Sequence, residues 1–126
     1  MLGHLSFGVT DLDRAIAFYD PVLAALGHVR LWQNERGAGY GPPRGPCGGN
    51  DRLALFLRPG AHPPGDGFHL AFQADSREAV NAFHKAALAQ GGHDLGAPGL
   101  RLNYSPTYYA AFVADPEGWK LEAVFQ

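Results

Sequence analysis

From Leu2 to Val9 apolar and polar positions alternate, with Leu5, Phe7 and Val9 on one face and His4, Ser6 and Gly8 on the other. A two-residue period of this kind predicts a half-buried strand. The period then lengthens to the helical one. Ala15, Ile16, Phe18, Tyr19, Val22, Leu23 and Leu26 share one stripe, opened by Thr10 as N-cap with Asp13 three residues on, and closed by Gly27. Pro21 inside the stripe predicts a kink, with Asp20 capping a second helical segment. Val29 to Gln33 and Arg52 to Arg58 read as strands, Ala38 to Tyr40 as a short one, and Phe68 to Ala74 as another with His69, Ala71 and Gln73 on one face. Asp75 and Glu78 then open a helix carrying Val80, Phe83, Ala87 and Leu88, which stops at Gly91-Gly92. The chain closes on a hairpin. An apolar run from Tyr109 reaches the turn Asp115-Pro116-Glu117-Gly118, and the returning strand puts Trp119, Leu121, Ala123 and Phe125 on one face and Lys120, Glu122, Val124 and Gln126 on the other.

A single offset of 65 residues relates His4 to His69, Thr10 to Asp75, Asp13 to Glu78, Phe18 to Phe83 and Gly27 to Gly92. The chain is therefore read as a duplicated β-α-β-β-β unit, with halves at about 1–60 and 66–126 of a single domain spanning 1–126. Roughly half of the Gly and Pro residues lie between Gly37 and Gly65, which predicts a loop-rich insertion at the mouth of any site, with the most mobile backbone.

Glu122 stands in the middle of an apolar strand, and a buried carboxylate left unpaired is costly. Lys120 on the same face is one available partner. The duplication offers others, because His4 and His69 project from equivalent strands. Two imidazoles and a carboxylate converging on one point suit a divalent transition metal and leave coordination positions open, with ligand distances of about 2.0–2.2 Å. Ser6, Gly8 and Ala71 are small on that face and leave a cavity. The same 65-residue offset places Leu57 opposite Glu122, so the first half lacks the carboxylate, and Leu53, Leu55 and Leu57 are expected to form an apolar wall.

Composition narrows the partners. The 126 residues carry 10 basic and 12 acidic side chains without runs, which leaves no electrostatic footprint for nucleic acid or anionic lipid, so a small molecule is the expected ligand. The single cysteine, Cys47, forms no internal disulfide and has no base near it in sequence, so it reads as a bystander thiol. The N-terminal apolar stretch is too short and interrupted for a signal peptide or a membrane span, which makes the cytoplasm the expected compartment. Tyr108, Tyr109, Trp32 and Trp119 read first as core or rim aromatics, with Tyr108 also a candidate substrate contact, and Arg44 is placed to reach an anionic substrate from the loop.

The segments "GHLSFGVTDLDRAIAFYDPVLAALG", "FHLAFQADSREAVNAFHKAALAQGG" and "YYAAFVADPEGWKLEAVFQ" together resemble the vicinal oxygen chelate superfamily of glyoxalase I, extradiol dioxygenases, fosfomycin-resistance transferases and bleomycin-resistance proteins. The resemblance covers nearly the whole chain outside Gly37 to Gly65. Its most specific part is the Asp-Pro-Glu-Gly turn with a glutamate four residues after the glycine. It implies an α+β fold in which tandem βαβββ units form a cupped mixed sheet around a metal, usually in a homodimer. It further implies His4, His69 and Glu122 as ligands for Fe, Mn, Ni or Zn.

Departures from the family narrow the reaction. Glyoxalase I typically has two carboxylate ligands, and Leu57 takes the place of one. A phenol ten residues before the ligand glutamate is common in dioxygenases and fosfomycin-resistance transferases, yet this chain has Phe112 there, so extradiol ring cleavage is expected to be weak or absent. The first functional expectation is a small metalloenzyme acting on a substrate with adjacent oxygens, by Lewis-acid stabilisation of an enolate or alkoxide. In that reading Glu122 and Ser6 are the catalytic residues, Ser6 orienting substrate, and Leu57, Phe112, Tyr108 and Arg44 line the substrate site. The alternative is a metal-free binding or sequestering protein of the bleomycin-resistance type.

Overall fold

The computed structural model describes residues 1–44 and 50–126. Cys47 lies outside the described residues, as does the centre of the Gly/Pro-rich segment. The elements run β1 (Leu5–Val9), α1 (Leu12–Ala24), β2 (Val29–Gln33), β3 (Gly37–Gly41), β4 (Leu53–Leu57), β5 (Leu70–Gln73), α2 (Arg77–Ala89), β6 (His93–Leu100), β7 (Tyr109–Ala114) and β8 (Lys120–Phe125). They form two four-stranded mixed sheets, ordered β1-β4-β3-β2 and β5-β8-β7-β6. The two orders are the same walk through the two halves, so the duplicated βαβββ unit is what the chain builds. In each half the first strand is an edge and pairs in parallel with the fourth, β1 with β4 and β5 with β8.

One hydrophobic core joins the halves. Leu12, Ala15, Phe18, Tyr19, Val22 and Leu23 of α1 are buried, as are Val80, Phe83 and Ala87 of α2, and all pack with the inward positions of the strands: Phe7, Val9, Leu53, Leu55, Val113, Leu121 and Ala123. Leu88, placed on the buried stripe by periodicity, is exposed at the rim of α2. The Phe7 and Trp119 rings stack across the halves at 4.1 Å. The turn before β8 reaches over as well: the Glu117 carboxylate accepts from Thr10 N–H at 2.7 Å, from the Thr10 hydroxyl at 2.9 Å and from Asp11 N–H at 3.2 Å.

That contact corrects the expected helix starts. Thr10 is occupied by Glu117, and α1 is capped by Asp11, whose side chain accepts from Arg14 N–H. The cap of α2 is Ser76, which accepts from Ala79 N–H, in place of Asp75. Asp11 and Ser76 keep the offset of 65. The helix-ending glycines with positive φ are Gly27 and Gly91, so the repeat shortens by one residue there. Pro21 does not break α1, and Asp20 caps nothing; its carboxylate accepts from Arg30 and from the Tyr40 hydroxyl.

The Gly-rich stretch is also not simply loop. Gly37, Gly39 and Gly41 occupy one face of β3, a fully buried strand whose other face sends Ala38 and Tyr40 into the core. The glycines are there for close approach. A methyl on Gly39 would lie 2.0 Å from the Trp32 indole nitrogen and 2.6 Å from an Asp51 carboxylate oxygen. Gly39→Ala is therefore expected to expel the Trp32 ring and to cost about 1–3 kcal/mol, the range for overpacking a filled site. Urea denaturation measures the loss, and a red shift of tryptophan emission reports the displaced ring; an unchanged midpoint and spectrum would show that the ring moves freely.

Candidate metal and substrate site

Glu122 sits in β8 between Ala71 of β5 and Phe112 of β7, its cross-strand partners. Its neighbours Leu121 and Ala123 point into the core, so strand alternation turns Glu122 to the opposite face, where it is nonetheless only 1% exposed. Two polar groups meet it. Oε2 lies 2.9 Å from His69 Nε2, and Oε1 accepts a hydrogen bond from the Tyr108 hydroxyl. Lys120 instead pairs with Asp66 at 3.4 Å, so the expectation of a Lys120–Glu122 pair is set aside.

Tyr108 reaches Glu122 because it stands on the same face as Phe112, four residues earlier along the approach to β7. Burial first, then the hydrogen bond to Glu122 and the charges of Glu122 and Tyr104, push its phenol up to about 12. It is a protonated donor across the physiological range. A phenol thus does stand beside the glutamate, although Phe112 occupies the position where the family pattern expects one. The Phe112 ring lies 6.1 Å from the His69 ring, edge to face, and Tyr104 packs on Tyr108 at 5.0 Å. A cavity of about 280 Å³ over this corner is lined by His69, Leu95, Tyr104, Phe112 and Lys120.

His4 stands one residue before β1 as His69 stands one residue before β5, which is the repeat at work. It does not join Glu122 within the chain. Its Nε2 lies 3.1 Å from Asp51, whose same oxygen accepts from the Trp32 indole at 3.1 Å. Burial would raise the Asp51 carboxyl, but the hydrogen bonds from His4 and Trp32 outweigh it and hold it below its ordinary value. Among the described residues no group of three or more His, Cys, Asp or Glu stands close enough to hold a metal ion, so the expected three-ligand point is not formed by one chain. The reason is topological: β1 and β5 are edges of two separate sheets, and His4 lines a crevice of about 380 Å³ with Tyr40, Arg52, Ala71 and Gln73.

Other expected positions also shift. Strand register pairs Ser6 with Ala54 and Ala71 with Glu122, so the counterpart of Glu122 in the first half is Ala54 and not Leu57. The offset has grown to 68 by this strand. Leu55 belongs to the core, Leu53 is buried there and also lines the crevice beside His4, and Leu57 lines a separate open cleft with Thr10, Asp13, Gln33 and Glu35. Ser6 is exposed on β1, away from Glu122, and the space over Gly8 is filled by Ala61 and Arg58. Arg44 donates to the Leu31 carbonyl beside β2. Asp51 lies within the Gly/Pro-rich segment, where no periodicity places it.

The donors that one chain supplies, a neutral-capable imidazole and a buried carboxylate in direct contact, fit a divalent cation in kind. No described helix is long and apolar enough to cross a membrane. Among curated proteins none matches the chain in sequence. Among solved structures, a glyoxalase/bleomycin resistance protein from Albidiferax ferrireducens T118 is 32% identical with a TM-score of 0.80, the match covering 98% of this chain and 97% of that one. A glyoxalase/bleomycin resistance protein/dioxygenase family enzyme from Burkholderia phytofirmans PsJN shares the fold at 21% identity and a TM-score of 0.70, over 98% and 96% of the two chains. A V278E glyoxalase I mutant from Zea mays matches at 25% identity and a TM-score of 0.65, over 96% of this chain and 44% of that longer one. The family model for the Glyoxalase/Bleomycin resistance protein/Dioxygenase superfamily matches residues 1–123, and with the repeat, the sheet order and the placement of Glu122 already in hand, the chain belongs to that superfamily.

Proposed function

We propose that the protein is a cytoplasmic, homodimeric metalloenzyme for a small substrate with two adjacent oxygens, its metal held by His69 and Glu122 of one chain and by His4 of the partner subunit. The observation that carries this reading is the His69–Glu122 pair at 2.9 Å, with its carboxylate buried between Leu121 and Ala123 of β8 and its imidazole half exposed. A charge kept in that position has no packing advantage over an aliphatic side chain. The separation of His4 supports the dimer, because β1 and β5 are unpaired edges of two separate sheets, to which a second copy would bring its own β1.

A divalent cation there supplies Lewis-acid polarisation of the substrate oxygens. The chain's own groups do the rest. Tyr108 donates to one oxygen of Glu122 and so leaves the other to the His69 side. With its proton held up to about 12 and given to Glu122, the phenol orients the carboxylate and is not a base. Phe112 and Tyr104 line the cavity over the corner.

Mixing variants tests both halves of the proposal. His4→Ala and His69→Ala are each expected to lose stoichiometric zinc after reconstitution. An equal mixture, unfolded and refolded together, is expected to regain about a quarter of the wild-type content, since half the chains enter mixed dimers and each mixed dimer has one intact site. Loss without recovery places the ligands in one chain. A wild type that binds no iron, manganese, nickel or zinc points to the metal-free binding protein instead.

A further inference from the structure

The face that carries His69 and Glu122 holds an arginine that the reading above leaves unused. Gly96 of β6 stands opposite Phe112 of β7, and a methyl built on Gly96 would lie 3.0 Å from an Arg101 guanidinium nitrogen and 3.2 Å from the Phe112 ring. The guanidinium therefore lies over the same face as Phe112, its carbon 5.4 Å from the ring centroid. Phe112 is the cross-strand partner of Glu122 and packs edge to face with His69. Arg101 is thus one aromatic ring away from the pair.

Its position is built. Nη1 donates to the Gly99 carbonyl at 3.0 Å and Nη2 to the Ala97 carbonyl at 2.8 Å, and the absent side chains of Gly96 and Gly99 make room for the planar group. These bonds hold the guanidinium without neutralising it. Among the described residues no carboxylate pairs with Arg101, nor with Arg36, Arg52, Arg58 or Arg77, and what sets Arg101 apart is its place over the Phe112 ring beside the His69–Glu122 pair. A guanidinium has five N–H donors, so most remain for a ligand.

We propose that Arg101 is the anion-binding residue of this site, and that the substrate is a small organic acid whose carboxylate pairs with Arg101 while its adjacent oxygens meet the His69–Glu122 corner. The planar fork of arginine matches a carboxylate in two parallel hydrogen bonds. The Phe112 ring between the two ends sets an apolar spacer. The inference rests on the proposed function for where the adjacent oxygens go, but the charge preference at Arg101 stands on its own geometry.

Two probes separate the ends: 2-oxoglutarate and 2-oxopentanoate share the same adjacent oxygens, and only the first has a distal carboxylate. Calorimetric titration of the full-length protein, zinc-loaded and metal-stripped, is expected to show at least about tenfold tighter binding of 2-oxoglutarate, as a charge-assisted pair provides. Arg101→Gln is expected to bring the two acids to parity with zinc content and circular dichroism unchanged, and Arg101→Lys to retain part of the preference. A preference that survives stripping of the metal, with no gain on adding zinc, upholds Arg101 while refuting the metal reading. Parity in the wild type, binding of neither acid, or a preference that persists in Arg101→Gln overturns the proposal; if Arg101→Gln does not fold, an undiminished preference in Arg101→Lys does so.

Discussion

Asp115→Ala is expected to cost roughly 3 kcal/mol of stability or more, and with it about 10 °C or more in melting temperature for a domain of this size. Asp115 is only 1% exposed and begins the turn between β7 and β8. One carboxylate oxygen accepts from the backbone N–H groups of Glu117 and Trp119, each at 2.9 Å, and the other accepts from the Tyr19 hydroxyl at 2.6 Å. Tyr19 is fully buried on α1, so this one side chain both closes the turn of the second half and fastens it to the helix of the first. Alanine leaves two buried donors, the Tyr19 hydroxyl and the Trp119 N–H, and the part-buried Glu117 N–H without that acceptor, at about 1–3 kcal/mol for each buried donor before relaxation. Tyr19→Phe removes a single bond and is expected to cost less. Equal losses in the two variants would mean that the turn closes without the carboxylate. The pH dependence has a definite sign. Burial pushes the Asp115 carboxyl above its ordinary value, the hydrogen bonds from Tyr19, Trp119 and Glu117 draw it back in part, and the charge of Glu117 adds to the rise. A carboxyl raised by folding contributes most below its unfolded pKa and loses that contribution as pH climbs through the folded one. The stability of the wild type relative to Asp115→Asn is therefore expected to decline as pH rises out of the ordinary carboxylate range. A rise over that window would show that the hydrogen bonds outweigh the burial.

The repeat was legible because side-chain burial follows backbone period. Phe18 and Phe83, or Phe7 and Phe72, must face the same core from equivalent elements, so selection for packing preserves both spacing and type. The turn at Asp115 to Gly118 was legible for a local reason, since Gly118 takes positive φ where the hairpin requires it. Features set by distant parts of the chain were not. Thr10 looks like a cap until Glu117 arrives from the other half, and Asp51 has no visible role until β3 brings Trp32 over Gly39. The glycines of β3 resemble loop glycines in composition, and only their alternation with Ala38 and Tyr40 separates them.

The site was half legible for the same reason. Alternation aims His69 and Glu122 at one face, and parallel pairing of β5 with β8 brings them into contact. Equivalence under the repeat says that His4 has the same place in its own sheet; it does not say that the two sheets meet edge to edge in one chain. A constant offset also misled at Leu57, because the stretch between β1 and β4 is three residues shorter than that between β5 and β8, chiefly through the longer strand β6, which makes Ala54 the counterpart of Glu122.

The clearest separation of function from stability is expected at Glu122. Glu122→Gln keeps an oxygen for the Tyr108 hydroxyl but loses the charge, and is expected to lower zinc affinity about 100-fold or more with little change in melting temperature, since even an outer partner of a metal ligand is worth 10–100-fold. Glu122→Leu should abolish zinc binding and leave the melting temperature equal or higher, because an apolar side chain replaces a buried carboxylate whose partners both reach solvent. His69 is half exposed and Tyr108 half buried, so both find water once the carboxylate is gone. The measurements are metal content after reconstitution and thermal melts of the metal-free proteins. A purely structural Glu122–His69 pair makes the opposite forecast, with a large loss of stability in Glu122→Leu and the same metal content in all three proteins. In a protein whose core is otherwise aliphatic and aromatic at this level of β8, the melting temperature of Glu122→Leu thus decides whether the buried charge is retained for folding or for chemistry.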